Sequence, residues 1–221
     1  MRKYSGTSGQ GLIISSPAAL KYLRPELSEV EIVDVLSDLK HRIFPRPFER
    51  LNPLRGRDGL VGVEIGVCGG EHALSLHRIL TPARLYCIDP YSLYGEYDEG
   101  KNHYGVDQAP LHVAEISARE LLADYAGQTV WIRKTSADAA KDINEPLDFV
   151  YVDGNHAEQF VREDIRNYWP LVKRGGVLGG HDFYNGFQSE HDGVIAAAMS
   201  FAIENKLSLK VELPDWWIVK P

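Results

Sequence analysis

The chain has 221 residues, of which 44% are hydrophobic and 25% charged, a composition that fits one globular domain of ordinary size with a real core. A net charge of -7 argues against a phosphate-backbone partner, since non-specific nucleic-acid affinity comes from clustered Lys and Arg. No apolar run approaches the ~20 residues of a membrane span, and the opening MRKYSGTSGQGLIISS lacks the apolar centre of a secretion signal.

Cys68 and Cys87 are the only cysteines, and both lie in apolar, strand-like surroundings. They read as buried reduced thiols, which fits a cytoplasmic location.

Residues 1–58 read as an N-terminal extension and 59–221 as the main domain. Within the extension, ELSEVEIVDVLSDLK (26–40) sets Val30, Ile32, Val33, Val35, Leu36 and Leu39 largely along one helical stripe, with Ser28 as N-cap. HRIFPRPFERLNPLRGRDG follows, and its three prolines predict an extended connector. The extension packs on the domain or covers its substrate site.

From Leu60 onward the pattern predicts strands at 60–66, 84–88, 129–133, 147–152, 176–180, 207–213 and 215–219. Helices are predicted at 71–80, 111–124, 137–142, 157–172 and 193–205. Short apolar strands alternating with such helices indicate a doubly wound, Rossmann-like α/β fold with a mostly parallel sheet. The last two strands have no helix between them and predict a C-terminal antiparallel hairpin.

Ligands of such sheets bind beyond the carboxyl ends of the strands. Four strand ends carry chemistry. In VGVEIGVCGGEHALSLHRIL, Glu64 precedes Gly66, Gly69 and Gly70, and a helix then opens with free N–H groups. The nicotinamide pattern G-x-G-x-x-G is not matched there. In RLYCIDPY, Asp89 ends the next strand 23 positions after Gly66, the spacing of an acid that accepts ribose hydroxyls. Its plainer reading is an Asp-Pro turn. FVYVDGNH brings Asp153 and His156, and GGVLGGHDFY brings His181 and Asp182. Asp153 or Asn155 also reads as a helix cap, and His156 and His181 as ordinary turn and core residues. Their gathering at one sheet edge favours a shared site.

These residues also carry a family likeness. Residues from about 58 to 221 resemble the class I S-adenosylmethionine-dependent methyltransferases, most of all the macrocin-type sugar O-methyltransferases and related small-molecule enzymes. The likeness rests on VEIGVCGGEHALSL, YCIDPY, DFVYVDGNHAEQFVREDIRNYWPLVKRGGVLGGHDFY and the terminal WWIVK. It implies that Glu64, Gly66 and Gly70, with adjacent Gly69, form the cofactor turn, that Asp89 binds the ribose and that Ser136 lies near the adenine. Asp153 borders the same site. The resemblance further implies that Asp153 and the pair His181–Asp182 hold a divalent metal such as Mg²⁺, and that His156 is the general base.

Two positions depart from the pattern. Cys68 replaces the middle glycine of the turn. His181 stands where an acid is expected, which moves the ligand set from Mg²⁺ toward softer metals or none. The implied activity is methyl transfer from S-adenosylmethionine to a hydroxyl of a sugar, other polyol or phenol. The rival readings are a cofactor-binding module without catalysis and a nicotinamide-dependent oxidoreductase. Between Asp89 and Leu111, Tyr91, Tyr94, Tyr97 and Tyr104 read equally as an aromatic lid or platform for a small-molecule acceptor such as a sugar, or as an ordered surface excursion or a subunit contact in a homo-oligomer.

Overall fold

The computed structural model describes residues 45–51, 53–93, 108–183 and 192–221. The predicted helix at 26–40, with Ser28, lies outside the described residues, as do Tyr94, Tyr97 and Tyr104.

The elements in chain order are α1 (Pro47–Leu51), β1 (Val61–Ile65), α2 (Glu71–Ile79), β2 (Arg84–Ile88), α3 (Gln108–Leu121), β3 (Thr129–Ile132), α4 (Ser136–Ala139), β4 (Leu147–Val152), α5 (Glu158–Tyr168), β5 (Val172–Gly180), α6 (Asp192–Glu204), β6 (Leu209–Glu212) and β7 (Asp215–Val219). They build one seven-stranded sheet in the order β3-β2-β1-β4-β5-β7-β6. The first five strands pair in parallel, and β7 runs antiparallel between β5 and β6. The doubly wound α/β reading and the C-terminal hairpin are thus both observed.

Period-two alternation sends each strand's side chains to two separate cores. On one face Val63, Ile65, Val150, Val152, Leu178 and Trp216 pack with α5 and α6. On the other, Leu85, Cys87, Phe149, Tyr151 and Val177 pack with α2, α3 and Phe48. All six residues of β4 are buried, as befits the central strand of a sheet covered on both sides.

Boundaries differ from expectation where backbone chemistry intervenes. The connector around Pro45, Pro47 and Pro53 is not wholly extended, because α1 forms within it. Pro47 takes the first helical position, where its missing N–H costs nothing, and the Asp215 carboxylate accepts the Phe48 N–H at 2.9 Å. The helix expected over 157–172 stops at Tyr168, and Pro170 belongs to a 3₁₀ turn, Trp169–Leu171. Strand β5 starts four residues earlier than expected. Its polar opening, Lys173-Arg174-Gly175-Gly176, hides the strand from pattern reading, and a register irregularity against β4 lies there. No described helix is long and apolar enough to cross a membrane.

Candidate active site

The β1–α2 turn is shaped by two left-handed glycines. Gly66 has φ 84 and Gly70 φ 90. A Cβ on Gly66 would strike the backbone carbonyl of Asp153, so this glycine lets the turn lie directly against the end of β4. Cys68, between them, adopts φ 50, the region its glycine counterpart would favour. Cys68 is therefore a half-buried turn residue, not a strand-like one, while Cys87 is buried in β2 as expected.

Asp89 ties the end of β2 to this turn. One carboxylate oxygen accepts the Cys68 N–H at 3.0 Å and the other the Tyr91 N–H at 2.9 Å. Burial pushes the Asp89 carboxyl up to about 6, although those two N–H bonds oppose the rise. Tyr91 is buried and its hydroxyl donates to the Cys68 carbonyl at 2.9 Å, so it clasps the turn and does not belong to an exposed aromatic platform.

Two other cofactor candidates have partners within the protein. Glu64 is 1% exposed and sits 2.8 Å from His72 Nδ1, beneath the turn. Ser136 opens α4; its carbonyl accepts the Tyr168 hydroxyl at 2.8 Å and its side chain bonds to buried Asp164. Those bonds tie Ser136 to α5.

The ends of β4 and β5 lie side by side because Val152 pairs with Gly180. The ladder runs one step further, with Asp153 N–H bonded to Ile65 O at 2.8 Å and His181 N–H to Val152 O at 3.1 Å. Asp153, His156, His181 and Asp182 thereby converge. His156 Nε2 is 2.8 Å from Asp182 Oδ2, and His181 Nδ1 is 2.9 Å from Asp182 Oδ1 and 3.8 Å from Asp153 Oδ1. Burial raises the Asp182 carboxyl, but the hydrogen bonds and charges of the two histidines outweigh it and hold the group well below the usual carboxylate range. Asp182 also has φ 59, a left-handed backbone that Asp tolerates at modest cost. Asn155 plays the plain capping part, its side chain accepting the Ala157 N–H at 3.0 Å.

One atom each from Asp153, His181 and Asp182 lies within 4.8 Å of the others, a spacing that fits a divalent cation.

Residues outside these motifs complete the site. Arg46 Nη1 donates to Asp153 Oδ2 at 2.6 Å and to the Tyr151 hydroxyl at 2.8 Å. Burial works against the Arg46 charge, yet Asp153 and Tyr151 more than offset it and keep the guanidinium firmly protonated. The Tyr151 hydroxyl donates in turn to buried Asp215 at 2.9 Å. Three residues beyond Arg46, Glu49 accepts the Ser75 hydroxyl at 2.6 Å and lies 3.4 Å from His72 Nε2. His72 thus stands between Glu49 and Glu64. Burial and Arg46 lower its proton affinity, and the two acids overcome them and raise it. Arg46 and Glu49 lay hidden in a proline-rich basic stretch, where nothing in the pattern separates a site residue from a solvated one.

Residues 63–183 match the methyltransferase domain family. No curated protein matches the chain. Among solved structures it is similar to a putative caffeoyl-CoA O-methyltransferase from Staphylococcus aureus, with TM-score 0.56 and 14% identity over 92% of this chain and 98% of that one. It is also similar to the O-methyltransferase NovP, with TM-score 0.54 and 15% identity over 73% of this chain and 72% of that one. A third, the SAH-bound Podospora anserina methyltransferase PaMTH1, gives TM-score 0.52 and 10% identity over 72% and 71%. At such identities the structures testify to the fold, and the domain match supplies the family: the chain belongs to the class I S-adenosylmethionine-dependent methyltransferases.

Proposed function

We propose that this enzyme transfers the methyl group of S-adenosylmethionine to a hydroxyl of a small molecule, a sugar, other polyol or phenol, with His156 as general base. The observation that carries the reading is the His156–Asp182 pair at 2.8 Å, on the same sheet edge as the glycine turn and Asp89. When bound, the cofactor supplies a methyl on a sulfonium, already electrophilic.

The turn at Gly66, Gly69 and Gly70 suits the cofactor because it bends tightly against the end of β4 and opens onto the N-terminus of α2, whose first N–H groups can meet a ligand. Asp89, ionised, fits the ribose hydroxyls as an acceptor. The protein must then deliver a deprotonated, aligned acceptor oxygen in a site that keeps water out. Asp182 accepts from His156 Nε2, which orients the imidazole. It also stabilises the imidazolium formed when His156 takes the acceptor's proton. Asp153, His181 and Asp182 would hold a divalent cation, which when bound stabilises an alkoxide as a Lewis acid.

The test is methyl transfer to a panel of glycosides and phenols. His156→Ala should lower turnover by about 10²–10⁴-fold with S-adenosylhomocysteine affinity unchanged. Unaltered turnover removes His156 as base. Cofactor binding with no methyl transfer to any hydroxyl would instead mark a non-catalytic binding module.

A further inference from the structure

The carboxylate of Asp153 already has a cation. Arg46 Nη1 holds its Oδ2 at 2.6 Å, while Oδ1 faces His181 Nδ1 at 3.8 Å. Arg46 is not a loose surface arm. Its guanidinium also bonds the Tyr151 hydroxyl and lies over that ring, 5.5 Å from the centroid. The backbone two residues on is fixed, since the Phe48 N–H is bound by buried Asp215 and the Phe48 ring is wholly buried. Glu49 fastens the same segment to α2 through Ser75. The positive charge is therefore placed by the fold beside the ligand cluster.

We propose that Arg46 is the resident cation of the strand-end cluster, so that a divalent metal reaches Asp153, His181 and Asp182 only in competition with it. The donor spacing suits a metal, but the charge balance does not favour one while Arg46 is in place. A divalent ion there would share Asp153 with the guanidinium and lie close to a like charge, and such repulsion is weakly screened where water is scarce. In its resting form Arg46 neutralises Asp153, Asp182 serves the two histidines, and metal affinity is set by a residue from outside the matched family segment. The inference deepens the reading above and rests on the same cluster. Its test reads metal binding without turnover, so a failure of methyl transfer leaves the two questions separate.

The experiment titrates Mn²⁺ into wild-type protein and Arg46→Met by calorimetry and by electron paramagnetic resonance. The variant should bind Mn²⁺ at least about ten-fold more tightly, and Arg46→Lys, which keeps the charge, should stay near wild type. Adding Asp153→Asn to Arg46→Met should abolish the gain and so locate the ion. Circular dichroism and a single cooperative unfolding transition, in wild type and variant alike, certify an intact fold. Should Arg46→Met not fold, Arg46→Gln, which keeps a donor to Tyr151, takes its place. Equal Mn²⁺ affinity with and without Arg46, or a gain that survives loss of Asp153, overturns the proposal.

Discussion

Asp89 and His77 show how burial sets the acid–base behaviour of single residues. Burial raises the Asp89 carboxyl to about 6, so in its proposed role as the ribose acceptor it is fully effective only once ionised. Raising the pH through about 6 therefore strengthens cofactor binding. The same raised value means that Asp89 itself contributes less to stability as pH climbs from its ordinary range to about 6. Calorimetry with S-adenosylhomocysteine should show affinity about ten-fold weaker at pH 5 than at pH 7.5, and Asp89→Asn should be weak at both.

His77 moves the other way. It is buried, stacks on Tyr125 at 4.6 Å and lies 2.9 Å from Thr129 Oγ1. The Thr129 hydroxyl donates to the Tyr125 carbonyl, so His77 Nε2 must be the donor in that contact, which the neutral ring satisfies. Burial lowers His77 to about 4. Its unfolded counterpart binds a proton near pH 6.5, so stability is complete above that pH and is lost as pH falls toward 4. Urea unfolding at pH 7.5 and pH 4 should show a loss of about 3 kcal/mol in wild type beyond that in His77→Gln.

At the scale of elements, the strands that carry the site were legible and the segment that completes it was not. β4 and β5 announce themselves as apolar runs ending in Asp153, His156, His181 and Asp182, because a central strand must be apolar until it surfaces. α1 carries no such signal. Five residues after a Pro-rich stretch have too few turns to show a period, and the helix depends on Asp215, far along the chain, for its cap. Ser136 shows the converse limit: nothing in its loose motif tells that its side chain bonds to Asp164. Phe48 is the apolar anchor of α1, with ring centroids 4.9 Å from Tyr151 and 6.2 Å from Phe149. Phe48→Ala should cost about 3–5 kcal/mol in chemical denaturation, the range for emptying a buried aromatic site. Because it frees the segment bearing Arg46, it should also raise Mn²⁺ affinity.

In the whole molecule, the site joins residues that are distant in sequence. Arg46 meets Asp153 across 107 positions, and Phe48 meets Asp215 across 167. Pairs this remote close large loops, and their entropy is spent before the contacts return anything. Local β–α units such as β1–α2 can form early, whereas the link from α1 through β7 to the end of β4 has to wait for most of the sheet. The Arg46 contact with that edge is thus a late product of folding. On refolding from urea, far-ultraviolet circular dichroism should recover before S-adenosylhomocysteine binding and well before the Arg46-dependent suppression of Mn²⁺ binding. For a time, a chain that already holds its secondary structure would capture metal that the finished protein turns away.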